Sequence, residues 1–163
     1  MDVIALARAG SRLQHADQLL TESSSRLTTP GRGGVSASEA AAAFDEVQQP
    51  VARARDDALV AYGLATVTMA PTAEVRRRAL GAYRVLADLA DGLDGSLEAL
   101  RCAGADTSLL SRVCRALGQA VVELARGIGH DDLAAGGDGR TPVRLGLHFT
   151  VHAEAVTAPA AHA

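Results

Sequence analysis

The chain has 163 residues, 16 of them basic and 19 acidic, with a formal charge of −3 and 48% hydrophobic residues, which suits one globular domain with a core of its own. Every basic residue is Arg, and neither Lys nor Asn occurs. This coding bias strips Arg abundance of functional weight, and the mild acidity excludes the basic face of a general nucleic-acid binder.

The start, MDVIALARAG, lacks the basic stretch of a secretory signal, and the longest mainly apolar run, Ala58 to Ala70, is shorter than the roughly 20 residues that span a bilayer. The expectation is a cytoplasmic chain with no membrane span. Leu6, Leu13, Leu20 and Leu27 then fall seven apart, with Ala9, Ala16 and Ser23 between them. That seam predicts a first helix over Val3 to Leu27, built to pack on another helix. TTPGRGGVS, Thr28 to Ser36, breaks it.

Ser36 followed by Glu39 is a capping box and predicts the start of a second helix. Its apolar face reads Phe44, Val47, Val51, Ala54, Ala58, Tyr62, Ala65 and Met69, with Pro50 in the middle, so one bent helix or two abutting ones are expected. After Pro71 and Thr72, the row Val75, Ala79, Tyr83, Leu86, Ala90, Leu93, Leu97, Leu100 predicts a third helix. Gly81, Gly92 and Gly95 lie inside it, and continuity is expected despite their cost of about 1 kcal/mol each. Asp106 or Thr107 caps a fourth helix carrying Leu110, Val113, Leu117, Val121, Leu124 and Ile128.

Beyond AAGGDGRTP the period changes to two. Val143, Leu145, Leu147, Phe149, Val151, Ala153 and Ala155 alternate with Arg144, Gly146, His148, Thr150, His152 and Glu154, the pattern of a strand. A lone strand needs an edge. It pairs with a second copy, adds to a sheet on another protein, or packs its apolar side on the bundle as an extended arm. The expected architecture is an all-α, up-down antiparallel four-helix bundle over 1–133, a linker over 134–142, a strand-like arm over 143–156 and a disordered tail over 157–163.

No residue group amounts to a catalytic motif. His148 and His152 lie about 13 Å apart on a strand, too far to share an ion. Asp88, Asp91 and Asp94 spread over more than a third of a helix circumference at about 100° per residue and predict a solvated face. Arg76, Arg77 and Arg78 open the third helix, where its dipole disfavours cations. Glu74 is placed to pair with them, and an acidic partner is the functional alternative. His130 beside Asp131 and Asp132 lacks a nucleophile. Cys102 and Cys114 complete no zinc spacing and predict two small buried residues. Neither a cofactor nor a metal is expected.

One stretch carries a resemblance. VARARDDALVAYGLATVTMAPTAEVRRRALGAYRVLADLADGL, Val51 to Leu93, is similar to the soluble helical region of fusaric-acid-resistance (FUSC-type, aromatic acid exporter) membrane proteins, in its RxRDDALxAY helix, short break and LGAYRxLADLADxL helix. The resemblance implies a cytosolic helical module attached to, or partnering, an organic-acid efflux transporter. The composite expectation is a non-enzymatic interaction or assembly module, self-associating or binding a protein, that of a membrane included, through Leu145, Leu147, Phe149, Val151, Arg76 and Arg77. The alternative is a helical ligand-binding protein or enzyme with a site inside the bundle, near Tyr62, Tyr83 and Asp88.

Overall fold

A computed structural model describes residues 2–27, 36–69 and 72–129. They form four helices: α1 (Val3–Ser25), α2 (Ala37–Thr68), α3 (Ala73–Cys102) and α4 (Thr107–Ile128). Among the described residues there is no strand. The arm, linker and tail expected over 134–163 lie outside the described residues.

Each helix starts on a side-chain cap. Asp2 Oδ1 accepts from Ala5 N at 3.2 Å, Ser36 Oγ from Glu39 N at 3.1 Å, Thr72 Oγ1 from Val75 N at 3.2 Å, and Asp106 Oδ1 from Ser108 N at 2.8 Å. Such caps contribute about 1 kcal/mol apiece by satisfying an early backbone N–H. The α3–α4 turn closes as a Schellman motif, with Ala105 N donating to Leu100 O and Gly104 N to Arg101 O. Gly104 sits there at φ +94°, a conformation that side-chain-bearing residues rarely adopt.

The helices pack in a ring in which α1 neighbours α2 and α4, and α3 neighbours α2 and, less extensively, α4. Neighbours run antiparallel. Asp2 N donates to Gly127 O while Arg26 reaches Asp106, so α1 and α4 run in opposite directions. Gly10 lies against Leu59 and Asp17 against Arg55 and Gln48, which reverses α2 relative to α1. Arg78 meets Asp57 at the start of α3.

Leucines seven apart furnish the core from three helices: Leu6, Leu13 and Leu20; Leu86, Leu93 and Leu100; Leu110, Leu117 and Leu124. Opposite them α2 buries mostly small side chains, Ala40, Ala43, Ala54, Ala58, Ala61 and Ala65, with Phe44, Val47 and Val51. Alternating large rows with a small-residue helix lets the rods interlock at coiled-coil-like angles. One polar junction ties α1 to α2: Asp17 accepts from Arg55 Nη1 at 2.6 Å and from Gln48 Nε2 at 3.1 Å.

Three expectations need correction, and one alternative is decided. The first helix stops at Ser25, with Leu27 only half-buried past the cap. Of the two forms expected at Pro50, a single helix is the one found, with Val47, Val51 and Ala54 on either side of it buried. The buried row of α2 passes from Ala58 to Ala61 to Ala65, so Tyr62 is turned outward and Met69, the left-handed C-cap at φ 55°, lies beyond the last turn. Cys102 is exposed at the end of α3, whereas Cys114 is buried as expected. α3 is continuous through its glycines; a side chain at Gly92 or Gly95 would meet only open space.

Candidate functional site

The interior is mostly apolar. Its large members are mostly leucines, with Phe44, Tyr83 and Ile128 among them, and among the described residues no group of His, Cys, Asp and Glu is placed to hold a metal ion. The three residues expected around an internal site do not converge: Tyr83 is buried, but Tyr62 and Asp88 stand at the surface. Asp91 and Asp94 are exposed as well, which gives the solvated acidic face that their spacing predicts. The buried polar atoms Ser23 Oγ on α1 and Ser111 Oγ on α4 lack hydrogen-bond partners, as does Glu123 Oε2, whose sister oxygen meets Arg126.

A shallow cleft of about 280 Å³ lies between α2 and α3, lined by Glu46, Pro50, Arg53, Asp88, Leu89 and Ser96 among others. Its cause is local: Pro50 and Gly92 carry too little side chain to fill the seam. Pro50 also has no N–H to donate, so the Glu46 carbonyl loses its usual helical donor on this side.

The cysteines differ by environment. Cys102 Sγ lies 3.6 Å from Glu98 Oε1 at the surface. Burial, with the Asp94 charge adding to it, pushes the Cys114 thiol up to about 12, and the thiolate is the reactive form. The expected result with a thiol reagent near neutral pH is one equivalent of labelling in the native protein, at Cys102, and two after denaturation. Native labelling of both thiols would show that the α4 face opens readily.

The surface is more informative. Val67 is 81% exposed, with Leu59 and Val60 each at 40% and Tyr62 at 37%, all in the last third of α2, and its C-cap Met69 is 90% exposed. Ile4, 65% exposed, belongs to the same end of the bundle, since α1 starts where α2 finishes. Val60 and Val67 are seven residues apart and so share one face of α2, roughly opposite its buried row. Single exposed apolar residues are ordinary; here several are gathered at one end of the bundle.

Arg76 and Arg77 stand exposed at the start of α3, beside this end. Glu74 accepts from both Arg77 and Arg78, and Arg78 also reaches Asp57 at 3.2 Å. Hydrogen bonds from Arg78 hold the Glu74 carboxyl below its usual range, and Glu74 raises the Arg78 guanidinium in turn. The Arg run is thus largely balanced by its own acids, leaving the apolar residues as the distinctive feature. Sequence periodicity missed them because it reports which side chains go inward; the seven-residue step from Val60 to Val67, out of phase with the core row, was the available signal. Leu145, Leu147, Phe149 and Val151, like His130, His148 and His152, lie outside the described residues.

No helix among the described residues is long and apolar enough to cross a membrane. No family model, curated protein or solved structure matches this chain.

Proposed function

We propose that the chain is a non-enzymatic helical interaction module that docks through the apolar end of α2, with Arg76 and Arg77 at its edge. The observation that carries this reading is the pairing of an interior rich in leucine and alanine with Val60, Val67 and Met69 exposed on the four-helix surface. Exposed apolar area of this kind is stabilised by association. The resemblance to exporter-linked helical regions spans this same end, so the membrane part of an organic-acid exporter is the partner class to try first; self-association is the simplest form of the activity.

Sedimentation velocity across the micromolar range tests the reading. The expected result is a sedimentation coefficient that rises with concentration for the unmodified chain and stays flat for a Val67→Asp/Met69→Asp variant. Helical circular dichroism should not change, because neither side chain contributes to the core. Identical behaviour of the two proteins would remove this surface from any role in assembly.

The ligand-binding alternative is supported by the α2–α3 cleft, where Arg53 faces the same space as Glu46 and Asp88. It is the weaker reading, because the cleft is shallow and lies outside the core.

A further inference from the structure

We propose that the resting occupant of the apolar end of α2 is the chain's own segment 143–155, laid so that Leu145, Leu147, Phe149 and Val151 cover Val60, Val67 and Met69. This inference rests on the reading of that end as an interaction surface and adds its regulation: the segment and a protein partner compete for the same side chains.

Four observations lead there. The first is origin. Asp2 N bonds Gly127 O, and Gly10 lies against Leu59, so the start of α1 stands beside the end of α4 and the end of α2 alike. The chain beyond Gly129 therefore departs from the end of the bundle that carries the exposed residues.

The second is reach. Residues 130–142, HDDLAAGGDGRTP, include three glycines. Thirteen residues span at most about 43–47 Å, and a flexible chain of that length has a root-mean-square extent of about 20 Å. α2 lies diagonally across the ring from α4. With axes 8–10 Å apart and a helix radius near 5 Å, the path to its outer face is also about 20 Å.

The third is fit. Along an extended chain, side chains on one side recur about every 6.7 Å. The α2 surface from Leu59 to Met69 is about 15 Å long at 1.5 Å per residue. It takes three successive apolar side chains of the alternating segment.

The fourth is the choice among occupants. Among the described residues no strand offers an edge, so docking within the chain works through side chains on a helix face. A linker of this length gives an effective concentration on the order of millimolar, well above the micromolar level at which a second copy arrives. The chain's own segment therefore covers the surface in most molecules of dilute protein, a second copy gains it only as concentration rises, and a tighter partner displaces it.

Disulfide trapping in the full chain tests this. In a Cys102→Ser background, Val67→Cys is combined singly with cysteine at Leu145, Leu147, Phe149 or Val151, and separately at Arg144, Gly146, His148 or Thr150. The expected result is an intrachain disulfide in the first series, forming at least about tenfold faster than in the second, given the local concentration above. Equal rates in the two series, or disulfides only between chains, would overturn the proposal.

A companion variant, Leu145→Asp/Leu147→Asp/Phe149→Asp, separates the two readings. Trapping without any gain in association of this variant would leave the cover standing and the assembly reading fallen. Association without selective trapping would do the reverse.

Discussion

Leu117→Ala lowers the stability of the bundle by about 3 kcal/mol, within the range of about 2–5 kcal/mol seen for truncating a fully buried leucine. Leu117 is 0% exposed in the middle of α4, the helix that packs along the length of α1. The loss has two parts. Removing three buried carbons forfeits their transfer from water, and the surrounding leucines are themselves fully buried and tied to regular helices, so they close only part of the void. Thermal unfolding followed by far-UV circular dichroism should show a midpoint lower by roughly 6–12 °C for a domain of this size. Val67→Ala is the control: it removes a comparable group from an 81% exposed position and should change stability by less than about 0.5 kcal/mol. Similar losses for the two would mean that burial among the four helices does not set the cost of truncation.

The contrast explains how much of this molecule is legible in its sequence. A leucine returning every seven places has to be hidden somewhere, and a helix is the backbone that brings such a row onto one side. The row Leu6, Leu13, Leu20 and the rows of α3 and α4 therefore lie buried where periodicity places them. Ser36 and Asp106 cap α2 and α4 because their short oxygens satisfy N–H groups that no carbonyl can reach, a constraint local enough to read from spacing. Pro50 is harder. Its local cost argues for a bend or a break, and the burial of Val47, Val51 and Ala54 beside it favours the single helix. Tyr62 and Met69 mislead for a related reason: a step of four after Ala58 and a step of three to Ala61 are equally helical, and only the neighbouring rods decide between them.

The candidate surface is less legible still. Val60 and Val67 look like noise in a core-finding pattern, since an apolar residue in water carries no periodic signature unless its own face is followed separately. Arg76 and Arg77 stand out by charge. Their meaning nevertheless depends on where Glu74 and Asp57 fall, and Asp57 reaches Arg78 from another helix.

Gly127→Val destabilises the bundle by about 2–3 kcal/mol, while Gly10→Ala stays within about 0.5 kcal/mol of the parent. The two glycines present the same first neighbour. A Cβ at either would stand 2.6 Å from a leucine Cδ2, that of Leu6 at Gly127 and that of Leu59 at Gly10. What differs is whether the neighbour can yield. Leu59 is 40% exposed, so its side chain rotates toward solvent at small cost, and the gain of up to about 1 kcal/mol from replacing glycine inside a helix offsets that rotation. Leu6 is fully buried, with no empty space to turn into. At Gly127 the new atom also comes within 3.3 Å of the Asp2 carbonyl, on a segment held by the bond from Asp2 N to Gly127 O and by the Asp2 cap of α1. A branched side chain there must push α1 and α4 apart or tear the start of α1 from its cap, and overpacking of that kind costs about 1–3 kcal/mol before the cap is counted. Paired denaturant titrations of the two variants decide the matter. Equal destabilisation would mean that Leu59 is as confined as Leu6.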